Sequence, residues 1–251
     1  MNNLEALILG LVQGFTEFLP VSSSGHLTLI QKLLGFKDLQ GLIFFDVVCH
    51  LGTLCSILVI FHKDIIAALK DRNRLLELFV ATLPLLPLVL LIKPIKASFD
   101  RVDLLGYFFL ITAFILWWGT KKGYDKPLNK KPYLLDALTI GLFQGLALLP
   151  GVSRSGSTIS GARLRGWPMP DAISFSFLLG IIAILGSSVV ELFSKSNSIP
   201  VGTAPLAIGF FVSFVSGIAA LLILIRVSKK NLLPFAVYCL ILGLVTLYIY
   251  G

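Results

Sequence analysis

Six stretches of this chain are apolar for about as long as a lipid bilayer is thick: residues 42–61, 75–92, 104–118, 173–193, 201–226 and 232–250. A helix of about 20 residues crosses about 30 Å of hydrocarbon. Hydrocarbon offers an open backbone no hydrogen-bond partner, so such runs must satisfy themselves as helices. Composition agrees. Only 14% of the 251 residues are charged and 56% are hydrophobic, with a mean hydropathy of +0.91, where a soluble domain carries about 25% charged residues. The expected class is an all-α polytopic membrane protein forming a single integral domain over residues 1–251. The first residues do not read as a cleaved leader, because they lack a basic start and carry Gln13 and Glu17 inside their apolar stretch. The three cysteines, Cys49, Cys55 and Cys239, lie in apolar runs without C-x-x-C spacing and read as small hydrophobes.

Two further apolar segments are interrupted. Residues 6–34 are broken by PVSSSG at 20–25, and residues 137–165 by PGVSRSG at 150–156. The pieces are too short to span, and each break opens backbone groups that lipid cannot satisfy. Both segments are expected to be re-entrant helical hairpins buried against other helices. They also resemble each other. ALILGLVQGFTEFLPVSSSG matches ALTIGLFQGLALLPGVSRSG at an offset of 131 residues, with one deletion and one insertion. The expected architecture is therefore an inverted repeat, residues 1–123 and 132–251, each half a re-entrant hairpin plus three transmembrane helices. An odd number of crossings turns the second half over relative to the first. Inverted repeats of this kind place a shared site near the midplane, where broken helices meet.

Loop charges set an orientation. Lys63, Lys70, Arg72, Arg74, Lys121, Lys122, Lys126, Lys130, Lys131, Arg163, Arg165, Arg226, Lys229 and Lys230 fall on one side; Lys32, Lys37, Lys93, Lys96, Arg101 and Lys195 on the other. The richer side should be cytoplasmic. Both termini then lie outside, and the site is expected to open to the outer face. The net charge of +8 resides in these short loops, so membrane lipids with anionic headgroups are the expected partners. No aromatic-interleaved basic stripe points to nucleic acid.

Ionisable residues within apolar runs are functional candidates by default. Glu17 sits inside the first broken segment, one helical turn after Gln13, and this oxygen-bearing pair could hold a hard divalent cation; a carboxylate reaching a headgroup is the bland reading. His26 follows the Ser22, Ser23, Ser24, Gly25 turn. Hydroxyls and N–H groups at a helix start make an anion site, and the imidazole could act as base, acid or nucleophile, or simply satisfy a hydrogen bond. His50 reads as a hydrogen-bonding core residue and His62 as interfacial. Arg154 lies at the tip of the second broken segment among Ser153, Ser155 and Thr158. A guanidinium surrounded by hydroxyls and glycines is what a phosphate oxyanion requires, although a purely structural pairing with Glu17 is the competing reading. If the tips meet, Glu17, Ser22, Ser23, His26 and Arg154 converge into the parts of a phosphoryl-transfer site.

GLVQGFTEFLPVSSSGHL and LLPGVSRSGSTISGARL resemble the two signature segments of the undecaprenyl pyrophosphate phosphatase family of the bacitracin-resistance type, and FDVVCHLGT at 45–53 is similar to its counterpart there. The resemblance implies hydrolysis of a polyisoprenyl pyrophosphate to the monophosphate and inorganic phosphate, recycling the cell-wall lipid carrier in a bacterial plasma membrane. It implies a divalent cation, Mg²⁺ or Ca²⁺, with Glu17 as its ligand. It implies catalytic roles for Glu17, Ser23, His26 and Arg154, and substrate contacts from Gln13, Ser22, Ser153, Ser155 and Thr158. Where the family pattern allows Glu or Gln, this chain has Gln13, which removes one negative charge and predicts weaker cation binding. Ser23, His26 and water all remain open as the attacking group, and a homodimer is left open.

The chief rival is a membrane transporter or lipid flippase with an anion site at the repeat interface, since inverted repeats with broken helices also build carriers. The other large class of membrane lipid phosphatases shares Ser-Gly-His at 24–26. It also needs a histidine at position 160, which is Ser160 here, and is rejected. A purely structural membrane protein would leave Glu17 and Arg154 at depth without purpose.

Overall fold

The apolar runs become helices, although not one for one. The computed structural model describes residues 1–99, 101–120, 133–192, 201–227 and 231–251. Along them run α1 (Asn3–Phe18), α2 (Ser23–Leu33), α3 (Ile43–Ile60), α4 (His62–Lys70), α5 (Arg72–Thr82), α6 (Leu85–Leu88), α7 (Ile92–Ser98), α8 (Val102–Thr120), α9 (Leu134–Leu146), α10 (Arg154–Leu164), α11 (Met169–Leu192), α12 (Thr203–Val227) and α13 (Leu233–Tyr250). The described residues contain no β-strand. Among them α3, α8, Met169–Val190 of α11, α12 and α13 are long and apolar enough to cross a membrane.

The expectation of a sixth span over residues 75–92 is corrected. That run is split into the end of α5, the four residues of α6, a 3-10 turn at Val89–Leu91 and the start of α7. Pro84 and Pro87 explain the break, because each removes a backbone donor and clashes with the preceding turn. The short run at 104–118 proves longer than expected, as α8 has 19 residues. Both interrupted segments break where the serine- and glycine-rich turns predicted, giving α1 and α2 from the first and α9 and α10 from the second. Lys121, Lys122, Lys126, Lys130, Lys131, Lys195, Lys229 and Lys230, on which part of the charge argument rests, lie outside the described residues.

Helix α1 starts at a capping box. Asn2 Oδ1 accepts from the Glu5 backbone N–H at 2.9 Å, and Glu5 Oε2 accepts from the Asn2 N–H at 2.7 Å. It ends at Leu19, ahead of Pro20. Its long contact is with α12, and Gly14 permits it: a Cβ there would fall 2.7 Å from the Ser213 carbonyl oxygen. In membranes such small-residue seams replace hydrophobic burial as the source of helix association. Helix α9 packs on α5, so the first helix of each broken segment docks on a helix distant in sequence.

The far ends of α9 and α10 are fastened by a buried polar cluster. The Asp136 carboxylate accepts from Arg165 Nε at 2.6 Å and Trp167 Nε1 at 2.8 Å. Glu77 of α5 accepts from Arg74 Nη1 at 2.9 Å and from the Tyr133 backbone N–H at 2.8 Å. The Arg74 guanidinium lies over the ring of Trp167, 5.3 Å from its centroid. With that base anchored, the turn at 147–153 is carried to a fixed place between α8 and α2.

Candidate active site

The two serine-rich turns are built alike. Ser22 caps α2, its hydroxyl accepting from the Gly25 N–H at 3.4 Å. Ser153 caps α10, its hydroxyl accepting from the Gly156 N–H at 3.1 Å. Each cap also pairs with the serine two residues on, Ser22 with Ser24 at 3.3 Å and Ser153 with Ser155 at 3.4 Å. Short polar side chains are favoured here because they satisfy the first free N–H groups of the helix. The turns touch: a Cβ on Gly25 would fall 2.9 Å from Gly151 Cα. Ser155 Oγ also donates to the Leu19 carbonyl at 3.4 Å.

The residue after each cap, the first of its helix, is Ser23 in one turn and Arg154 in the other. Both reach the same carboxylate. Ser23 Oγ donates to Glu17 Oε2 at 2.5 Å, and Arg154 Nη2 donates to Glu17 Oε1. Gln13 Nε2, one turn earlier on α1, adds a bond to Oε2 at 3.1 Å. Glu17 is 6% exposed, and an unpaired carboxylate at depth would cost roughly 2.5–3.5 kcal/mol. The three donors, one of them a guanidinium, offset that cost and hold the two turns in register. Arg154 keeps Nη1 without a protein partner, packed against Gly180, where the missing Cβ makes its room.

A cavity of about 350 Å³ opens over this cluster. Glu17, Ser22, Ser23, Ser153, Arg154 and Ser155 line it, and Leu27, Ile43, Val47, Ile95, Phe99 and Ile184 give it an apolar wall. Three of the residues singled out in the sequence are not on that lining. Gln13 is fully buried behind Glu17. Thr158 donates to the Arg154 carbonyl at 2.9 Å and pairs with Ser176 at 2.6 Å, inside the protein. His26 turns its ring toward α8 and α13, meeting Phe109 edge-on and Tyr238 in parallel.

His50 meets both the helix core and the cavity. Its Nδ1 bonds the Asp46 carbonyl at 2.7 Å, the core role expected, but its Nε2 stands 3.5 Å from Glu17 Oε2 on the cavity wall. Asp46, one turn before it, also lines the cavity and receives Gln31 Nε2 at 2.9 Å. The signal was present: Asp46 and His50 are ionisable residues four apart inside an apolar run.

Among the described residues no three His, Cys, Asp or Glu side chains gather to hold a metal ion. The oxygens that could meet one are Glu17, Asp46 and the serine hydroxyls, with Gln13 Oε1 buried and lacking a partner. Mg²⁺ commonly takes one or two carboxylates and completes its shell with water and substrate phosphate. The donor set fits such an open site better than a closed cage.

A profile of the family described as Bacitracin resistance protein BacA matches residues 6–245 of the chain. An undecaprenyl-diphosphatase of Protochlamydia amoebophila is 48% identical over 249 residues, covering 96% of each chain. One of Carboxydothermus hydrogenoformans is 42% identical over 257 residues, 98% of this chain and 97% of that one. One of Thermosipho africanus is 36% identical over 254 residues, 97% of this chain and 98% of that one.

Proposed function

The chain belongs to the bacitracin resistance protein BacA family, and from that premise we propose that it is an undecaprenyl-diphosphatase, a multi-pass membrane hydrolase that releases inorganic phosphate from undecaprenyl pyrophosphate and returns the monophosphate carrier to cell-wall synthesis. The observation that carries the chemistry is the single carboxylate of Glu17 held between a hydroxyl and a guanidinium at two helix starts. Both helix N-termini face the cavity, and their free N–H groups and partial positive charge favour a phosphate there. Arg154 would clamp the terminal phosphate and stabilise the charge spread over its oxygens as the bond breaks. Ser23, already donating to Glu17, would attack the terminal phosphorus as its proton passes to Oε2. The P–O bond to the bridging oxygen breaks, and its electron pair leaves with the lipid monophosphate. Water then attacks the phosphoserine; the P–Oγ bond breaks, Glu17 Oε2 returns its proton to Ser23 Oγ, and the proton that water loses leaves with the inorganic phosphate. A bound divalent cation, held by Glu17 and Asp46, would add positive charge opposite the pyrophosphate oxygens. The apolar wall of the cavity suits the first isoprene units of the lipid.

The finer architecture supports the same reading. We take α1–α2 and α9–α10 as re-entrant hairpins of an inverted repeat. Their first helices pack on α12 and α5 respectively, each from the other half, and Ser23 and Arg154 occupy equivalent positions. In the orientation set by the loop lysines and arginines, the termini are outside and the first hairpin enters from the outer face, toward which the site would open.

The test is phosphate release by purified protein from undecaprenyl pyrophosphate in detergent, with and without chelator, beside Glu17→Ala. Turnover by the wild type, lost in Glu17→Ala and reduced by chelation, is expected. Binding of the lipid without any phosphate release would leave the transporter reading standing instead.

A further inference from the structure

The turn that presents Ser23 is held in a conformation that a side chain disfavours. Ser22 is the one non-glycine residue with a positive φ, 72°, among the described residues. Its own carbonyl is tied down by His26, whose Nδ1 lies 2.7 Å away. A carbonyl oxygen only accepts, so Nδ1 must carry the hydrogen, and Nε2 of the neutral ring must then be an acceptor. His26 is 9% exposed, so that acceptor needs a donor from the protein. Tyr238 of α13 supplies it, its hydroxyl 2.7 Å from Nε2 with the two rings only 8° from parallel. The next residue on α13, Cys239, reaches the Pro20 carbonyl of the same turn at 3.9 Å. Neither His26 nor Tyr238 lines the cavity.

The second turn is braced in the same manner from α8. Thr112 Oγ1 donates to the Gly151 carbonyl at 2.7 Å and accepts from the Ser153 N–H at 3.0 Å. Each turn is thus secured by a helix distant from it in sequence, through a hydroxyl. We propose that Tyr238, acting through His26, is a positioning residue for the reaction: it fixes the imidazole tautomer that pins the Ser22 carbonyl and so keeps Ser23 Oγ on Glu17. This inference rests on Ser23 being the attacking group.

Two measurements test it, one independent of turnover. In wild-type protein carrying ¹⁵N-labelled histidine, His26 should show the tautomer with hydrogen on Nδ1, and Tyr238→Phe should shift its Nε2 resonance by removing the donor. In the phosphate-release assay, Tyr238→Phe should lower kcat by about tenfold with KM changed by less than about twofold, the scale expected for one buried acceptor left unpaired. The effect should vanish in a His26→Ala background, because Tyr238 then has nothing to act through. A wild-type His26 carrying its hydrogen on Nε2 would overturn the proposal. So would an undiminished kcat in Tyr238→Phe, or a Tyr238→Phe penalty that persists on top of His26→Ala. A protein with the expected tautomer that hydrolyses no pyrophosphate would instead locate the failure in the functional reading.

Discussion

At the first turn Ser22 sits at φ 72° and caps α2; at the second, Ser153 sits at φ −68° and caps α10, while Gly151 takes the left-handed step at φ 94°. The second turn has one residue more between its proline and its capping serine, and that residue is Gly151. Glycine adopts a left-handed conformation without a Cβ clash, whereas an ordinary side chain there costs roughly 1–2 kcal/mol. The shorter turn therefore places the strain on Ser22 itself, directly beside Ser23. Its carbonyl is correspondingly secured by a side chain, His26, where the second turn is secured by Thr112. The pair shows how one capped turn, used twice, carries two chemistries. The residue after the cap is free to vary, and Ser23 supplies a hydroxyl where Arg154 supplies a guanidinium.

The comparison breaks most severely at Arg154. Arg154→Ala removes the clamp and leaves Glu17 buried without its cation. Phosphate release should fall by about 10²–10³-fold, as when one transition-state donor is deleted, and stability by roughly 3–5 kcal/mol; the assay and thermal unfolding in detergent measure the two losses. Near-normal turnover would remove the centre of the site. Thr112→Val is next. It strips two buried backbone groups of their partner, and about 2 kcal/mol of stability should be lost, since a single unsatisfied buried group costs roughly 1–3 kcal/mol. A shift in unfolding no larger than that of a surface substitution would show that the second turn holds without α8. Ser22→Asn is the mildest. Asparagine tolerates the left-handed region and can still cap a helix, so stability should change by less than about 0.5 kcal/mol. A large loss would mean that the Ser22 hydroxyl does more than cap α2.

Much of the site could be read from residue order. Glu17 and Arg154 stood out because a lone charge in an apolar run must meet a partner, and the repeated turn implied that the two tips belong together. The break within residues 75–92 was also present in the sequence, as Pro84 and Pro87, but hydropathy masked it: the surrounding leucines and valine keep the run apolar while two prolines stop the helix. The directions of His26 and His50 were hidden for a different reason. Both are single histidines in apolar surroundings, and nothing local indicates that one ring turns to Tyr238 while the other faces Glu17.

The sequence by itself determined the solvent, the helical class, the two capped breaks and the residue types that meet there, because hydrocarbon tolerates no open backbone and no unpaired charge. Only the tertiary structure decided which side chains face the cavity. Gln13 and Thr158 stand behind it and Asp46 and His50 upon it, since a side chain's direction depends on the helix packed against it, and those helices come from far along the chain.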